Sequence, residues 1–132
     1  MSHEEVYRDI EQTLGLVPSF FKSIPDEYLE DEWGMFKRIQ LSDTHIPGKY
    51  KELMGVALSA ATKCRYCVLF HTEAAKYHGA TDDEIEEAVH FAKHSVGWSA
   101  YVHGMQVDYG EFERETHDIV EHMKEQARKR AA

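Results

Sequence analysis

Cysteine is scarce in this chain: two in 132 residues. A disulfide-stapled secreted scaffold needs more, so the fold must rest on an apolar core. Proline is scarcer than usual, three in all, which leaves long stretches free to run as uninterrupted helix. No apolar run approaches the roughly 18 residues that span a bilayer, and the opening Met1-Ser2-His3-Glu4-Glu5 is polar where a secretory leader is basic and then apolar. A soluble, cytoplasmic protein is the expectation, with no membrane partner. Positive charge is also in deficit. Fifteen Lys and Arg face 24 Asp and Glu, for a net charge of −9, which disfavours phosphate backbones and anionic lipid. No nucleic-acid partner is expected. The basic stretch Lys124 to Arg130 is the positive end of a last helix.

What is present fits one globular domain over 1–132, with 42% hydrophobic and 30% charged residues. The periodicity is helical throughout, and no window alternates strictly enough for a strand. Val6, Ile10 and Leu14 mark a short amphipathic helix ended by Gly15, a lid or flank. Leu16 to Pro25, punctuated by its prolines, is an apolar turn or a single helical turn. A second helix spans Asp26 to Gln40 on Tyr28, Leu29, Trp33, Phe36 and Ile39. Pro47 opens a third that runs to about Ala61, with a narrow apolar face of largely small residues at Leu53, Val56, Ala57, Ala60 and Ala61 that lets a neighbouring helix approach closely. Thr62 and Lys63 make a tight connection to a fourth, from about Cys64 to Tyr77, closed at Gly79. Thr81 and Glu84 form a capping box for a long fifth helix with a stripe through Ile85, Ala88, Val89, Ala92, Val96, Ala100 and His103, weakened at Gly97 and Gly104. Phe112, Thr116, Ile119, Val120 and Met123 carry a sixth. The fold class is all-α, a bundle of about six helices.

The chemistry gathers at Cys64-Arg65-Tyr66-Cys67. About 1.5% of random placements of two cysteines give this spacing. At a helix start the two sulfurs share the first turn, near enough to close a small disulfide, and the free N–H groups and the dipole favour a thiolate. His71 lies one turn beyond Cys67, where its imidazole can take or relay the thiol proton. Glu52 sits on the preceding helix. With so short a connection the two helices are antiparallel neighbours, and Glu52 comes level with His71. Two other readings stay open. Cys64, Cys67 and His71 offer three metal ligands, with Glu52 or water as a fourth, in a regulatory module. Alternatively, both cysteines are inert and the chain is a helical oligomerisation module. His90 and His94 are four apart but lack a third ligand nearby in sequence. Trp33, Phe91, Trp98 and Tyr101 read as core or interface aromatics.

Lys51-Glu52 through Ala60-Ala61, Cys64-Arg65-Tyr66-Cys67, His71, Ala74-Ala75, Gly79-Ala80-Thr81 and Glu84 through Ala88 resemble the core of the alkyl hydroperoxidase D and carboxymuconolactone decarboxylase superfamily over 47–92. Gly15-Leu16-Val17-Pro18 and Ile46-Pro47 are similar to members as well. The resemblance implies an all-helical fold, assembly into trimers or hexamers, and a redox site of Glu52, Cys64, Cys67 and His71, with Cys67 attacking and Cys64 resolving. It implies a peroxide or disulfide substrate, an external dithiol or protein reductant, an antioxidant role and no cofactor. The decarboxylase branch lacks the cysteine pair, so its reaction is not implied. The chain departs from the best-studied members at Tyr66, where they carry a histidine, which turns the implication toward general disulfide reduction.

Overall fold

The computed structural model describes residues 1–132 and contains seven α-helices, one π-helical segment and no strand. The helices are α1 (His3–Leu14), α2 (Ser19–Lys22), α3 (Asp26–Phe36), α4 (Gly48–Thr62), α5 (Arg65–Tyr77), α6 (Asp82–Gly104) and α7 (Tyr109–Ala131). The π-helical segment, Lys37–Leu41, follows α3. None is long and apolar enough to cross a membrane. By its internal contacts the chain divides into two compact units, Met1–Phe91 and Ala92–Ala132.

The first unit builds its core from the ends of the expected elements. Ser2 caps α1 through a capping box with Glu5, and Gly15, at φ 82°, closes it in the left-handed conformation glycine adopts without penalty. Val6 and Ile10 on one stripe of α1 pack with Phe21, Leu29 and Trp33 into a buried cluster, with Leu14, Val17, Ile24, Phe36 and Leu41 around it. Instead of the lid or flank its sequence suggested, α1 is a wall of this core: Ile10 is wholly buried. The indole Nε1–H of Trp33 donates to Asp9 Oδ2 at 2.7 Å, and Lys37 Nζ meets the same oxygen at 2.5 Å. These two bonds, the lysine's first, hold the Asp9 carboxyl below the usual range. The helix expected to reach Gln40 changes form after Phe36. Five residues of α-helix would turn Leu41 about 0.4 of a turn away from Phe36. The wider π turn keeps both side chains against the cluster.

The other half of this unit is the antiparallel pair α4 and α5. Gly48, Glu52, Gly55, Val56 and Ser59 line the buried face of α4, and Ala75 is buried on α5. The small residues that allow the close approach are Gly48, Gly55 and Ser59; of the face read from the sequence only Val56 is buried, and Leu53, Ala57, Ala60 and Ala61 lie beside it, because the helix turns its glycines and Ser59 toward its neighbour. After Gly79, at φ 86°, the expected capping box forms. The Thr81 hydroxyl accepts the Glu84 N–H at 3.1 Å, and Glu84 Oε2 accepts the Thr81 N–H at 2.9 Å. Glu84 also meets Lys49 Nζ at 2.7 Å, tying the start of α6 to the start of α4.

In the second unit α6 runs through Gly97 without interruption and ends at Gly104. Asp108 caps α7 by accepting the Glu111 N–H at 2.8 Å. Ala92 is buried, whereas α7 buries no residue at all. Val96, Trp98, Tyr101, Phe112, Ile119, Val120 and Met123 are exposed on these helices, so their apolar stripes are uncovered within one chain.

Candidate active site

Four side chains singled out in the sequence lie along the α4–α5 hairpin. Lys63 ends α4 in the left-handed conformation, with φ 58° and ψ 38°, and reverses the chain so tightly that the Cys64 N–H donates to the Ser59 carbonyl at 3.0 Å. That bond fixes Cys64 as the N-cap of α5, in extended conformation. Its sulfur does what a serine or aspartate oxygen does at such a position, accepting the Cys67 N–H at 3.4 Å.

Both cysteines are free thiols, Cys64 half-buried and Cys67 exposed. Their surroundings divide them. The backbone N–H of Cys67, then the Cys67 thiol itself, bond to Cys64 and lower its pKa from the ordinary thiol value, against a small opposing effect of burial. Cys67 shifts the other way, raised by its bond to Cys64, by burial and by the charge its neighbour carries. The main-chain donor therefore eases ionisation at Cys64 and not at Cys67.

The second half of the site is the meeting of Glu52 and His71. Glu52 lies on the buried face of α4 and is 2% exposed, a costly place for a carboxylate without a partner. His71 supplies one: its Nδ1 is 2.6 Å from Glu52 Oε2. With an ionised carboxylate as acceptor, Nδ1 carries the proton and the neutral ring presents a lone pair at Nε2. Phe70 packs edge-on to this ring at 5.6 Å. The level placement of Glu52 and His71 expected from their distances to the turn is thus what the helices adopt. The imidazole, placed by sequence over Cys67, makes no hydrogen bond to either sulfur; its Nδ1 is given to Glu52.

Metal ligation finds no comparable support. No three or more His, Cys, Asp or Glu side chains are grouped so as to hold a metal ion. His94 instead accepts the Trp98 Nε1–H at 2.8 Å. Of the aromatics read as core or interface, Trp33 is core, and Phe91, Trp98 and Tyr101 are exposed.

Two glycines belong to this hairpin and were not read from sequence. A Cβ on Gly55 would meet the ring of His71, and one on Gly48 would meet the ring of His78. Gly48 and Gly55 are seven residues apart on α4, as are His71 on α5 and His78 at its C-cap. That matched spacing, read in opposite directions, was the available signal.

Comparison with known proteins agrees with this architecture. The model of the carboxymuconolactone decarboxylase family matches residues 30–108. Uncharacterized protein 4 in the cox locus of Paracoccus denitrificans is 28% identical over 75 residues, which cover 57% of this chain and 68% of that protein. An uncharacterized protein of Cupriavidus necator is 43% identical over 47 residues, 36% of this chain and 42% of its own length. Among solved structures, the alkylhydroperoxidase AhpD core from Rhodospirillum rubrum superposes with a TM-score of 0.70 at 25% identity, covering 80% of each chain.

Proposed function

This chain belongs to the carboxymuconolactone decarboxylase family, and on that premise we propose that it is a thiol-dependent peroxidase or disulfide oxidoreductase working through Cys64 and Cys67. The observation that carries the reading is the unequal pair of free thiols at the start of α5, with Cys64 Sγ as a helix cap. A redox cycle needs one accessible sulfur to meet the oxidant and one ready anion beside it to close the bond. Cys67 is the exposed sulfur, and Cys64 the one whose ionisation is eased.

In the cycle we propose, Cys67 gives its proton to the relay of His71 and Glu52, and its thiolate attacks one peroxide oxygen. The O–O bond breaks, an alcohol or water leaves, and Cys67 becomes a sulfenic acid. The Cys64 thiolate then attacks that sulfur, the S–O bond breaks with loss of water, and a disulfide forms. With a disulfide substrate the same attack gives a mixed disulfide, which Cys64 resolves. An external dithiol or protein reductant returns two electrons. The relay has a task here because Cys67 holds its proton more firmly than an ordinary thiol. The eased ionisation of Cys64 favours a second order of attack, with Cys64 first and Cys67 resolving, in the manner of a capped helix N-terminus.

The same reading extends to an antioxidant role and to assembly as a homo-oligomer of three or six chains. The uncovered stripes of α6 and α7 support the latter.

A stoichiometric peroxide pulse followed by mass spectrometry tests the redox reading. The expected product has lost two hydrogen masses and protects both thiols from alkylation. An unchanged mass with both thiols still reactive would remove it. Near-stoichiometric zinc surviving dialysis, with thiols unreactive until it is stripped, would replace it with the metal-binding reading.

A further inference from the structure

We infer that Gly55 is a positioning residue for the Glu52–His71 pair: its missing Cβ is the seat on which the imidazole lies, and the ring's alignment with Glu52 depends on it. The inference rests on the proton-handling role proposed for that pair. Gly55 sits inside α4 without the positive φ found at Gly15 and Gly79, so backbone freedom does not explain it. Glycine is also a poorer helix former than alanine, and α4 uses alanine at Ala57, Ala60 and Ala61.

Space does explain it. A Cβ on Gly55 would lie 2.5 Å from His71 Cγ and 2.7 Å from Cε1, with Nδ1 nearer still. All three of the nearest atoms belong to that one ring. Gly34, Gly97 and Gly104, by contrast, have nothing within 4 Å of such an atom.

Glu52 is three residues before Gly55 on the same buried face, so a ring resting on Gly55 has its Nδ1 beside the carboxylate. Gly48 seats His78 one register step away, with a Cβ there 2.7 Å from His78 Cε1. The ring on the Gly55 seat is hydrogen-bonded to a carboxylate, whereas the carboxylate beside Gly48, that of Asp43, accepts the Gly48 N–H instead. The seat thus leaves Nε2 outside the Glu52 bond, the nitrogen able to accept a thiol proton.

Gly55→Ala in the full-length protein tests this, because the added methyl can be relieved by the ring swinging out rather than by unfolding. In the reduced protein, nitrogen and proton NMR of labelled histidine should lose the low-field His71 Nδ1–H signal. Disulfide formation after a peroxide pulse should slow about as much as in His71→Gln, by roughly 10²–10⁴-fold at neutral pH, and recover toward alkaline pH. The melting temperature supplies an arm independent of activity. Gly55→Ala should lower it in the native background and raise it in a His71→Ala background, where the seat is empty and alanine is the better helix former. Retention of the Nδ1–H signal with a native rate would overturn the inference, as would an equal fall in melting temperature in both backgrounds. If the native protein proves inert to peroxide and disulfides, the redox reading fails, and the NMR and melting arms still decide the seat.

Discussion

Cys64 Sγ accepts the backbone N–H of Cys67 at 3.4 Å, and this one bond makes two thiols a single turn apart chemically unlike. The donor is part of the main chain, so the lowering at Cys64 survives removal of the Cys67 side chain, whereas the raising at Cys67 depends on Cys64. It is a property of the N-cap position, and the predictions about the sulfurs follow from it.

The first concerns pH. Cys64 should ionise below, and Cys67 above, the ordinary thiol value. In Cys67→Ser, which keeps the backbone donor, alkylation of Cys64 should begin at lower pH than in the unfolded chain. Because the folded value is the lower one, the thiolate's stabilisation is complete above the unfolded pKa of about 8.5 and fades as pH falls through the folded value. Urea midpoints of Cys67→Ser should therefore rise with pH across that interval. A flat or falling midpoint would contradict the cap.

Order of attack is the second. Cys67→Ser should abolish the first oxidation step, whereas Cys64→Ser should react once and stop as a sulfenic acid or mixed disulfide. Mass spectrometry of trapped adducts separates them. An inert Cys64→Ser and a trapped adduct on Cys67→Ser would give the attack to Cys64, the sulfur that caps the helix.

For the relay, His71→Gln and Glu52→Gln should both keep the disulfide and slow its formation by about 10²–10⁴-fold. The deficit should shrink at alkaline pH, where Cys67 ionises unaided. His71→Ala should also cost about 1–3 kcal/mol of stability by leaving the buried carboxylate without its donor. Stopped-flow rates and urea titrations check the two halves separately. A rate loss that persists unchanged at high pH would assign the pair a structural role.

Assembly is the fourth. Sedimentation should find three or six chains at micromolar concentration. Paired substitution of Ile119 and Val120 by Glu, on the uncovered stripe of α7, should shift the population toward smaller species. A native monomer that persists with increasing concentration would refute it.

Much of the hairpin was legible in the sequence because its signals are local. Helical spacing puts His71 one turn beyond Cys67, the short Thr62-Lys63 link forces antiparallel packing, and Thr81 with Glu84 announces the next helix. Three features were not legible, each for its own reason. The stripe Val6-Ile10-Leu14 shows that α1 covers something but not that Phe21 and Trp33 lie beneath it. The π turn after Phe36 is selected by tertiary packing of Leu41, against an unbroken α-helical pattern. The glycine under the His71 ring, and the choice of Nδ1 as the nitrogen that meets Glu52, depend on how the facing helix seats the ring, which one helix's periodicity does not contain.

The sulfur cap on α5 also links oxidation state to local backbone stability. A thiolate at Cys64 accepts the Cys67 N–H far better than a disulfide sulfur does, so oxidation removes most of a helix cap. A cap is worth about 1 kcal/mol, and for a two-electron couple that raises the reduction potential by about 20 mV. The first turn of α5 should loosen on oxidation, so the Cys67 amide proton should exchange with solvent faster in the disulfide form than in the dithiol. Hydrogen exchange at a single backbone amide would then report the redox state of the pair.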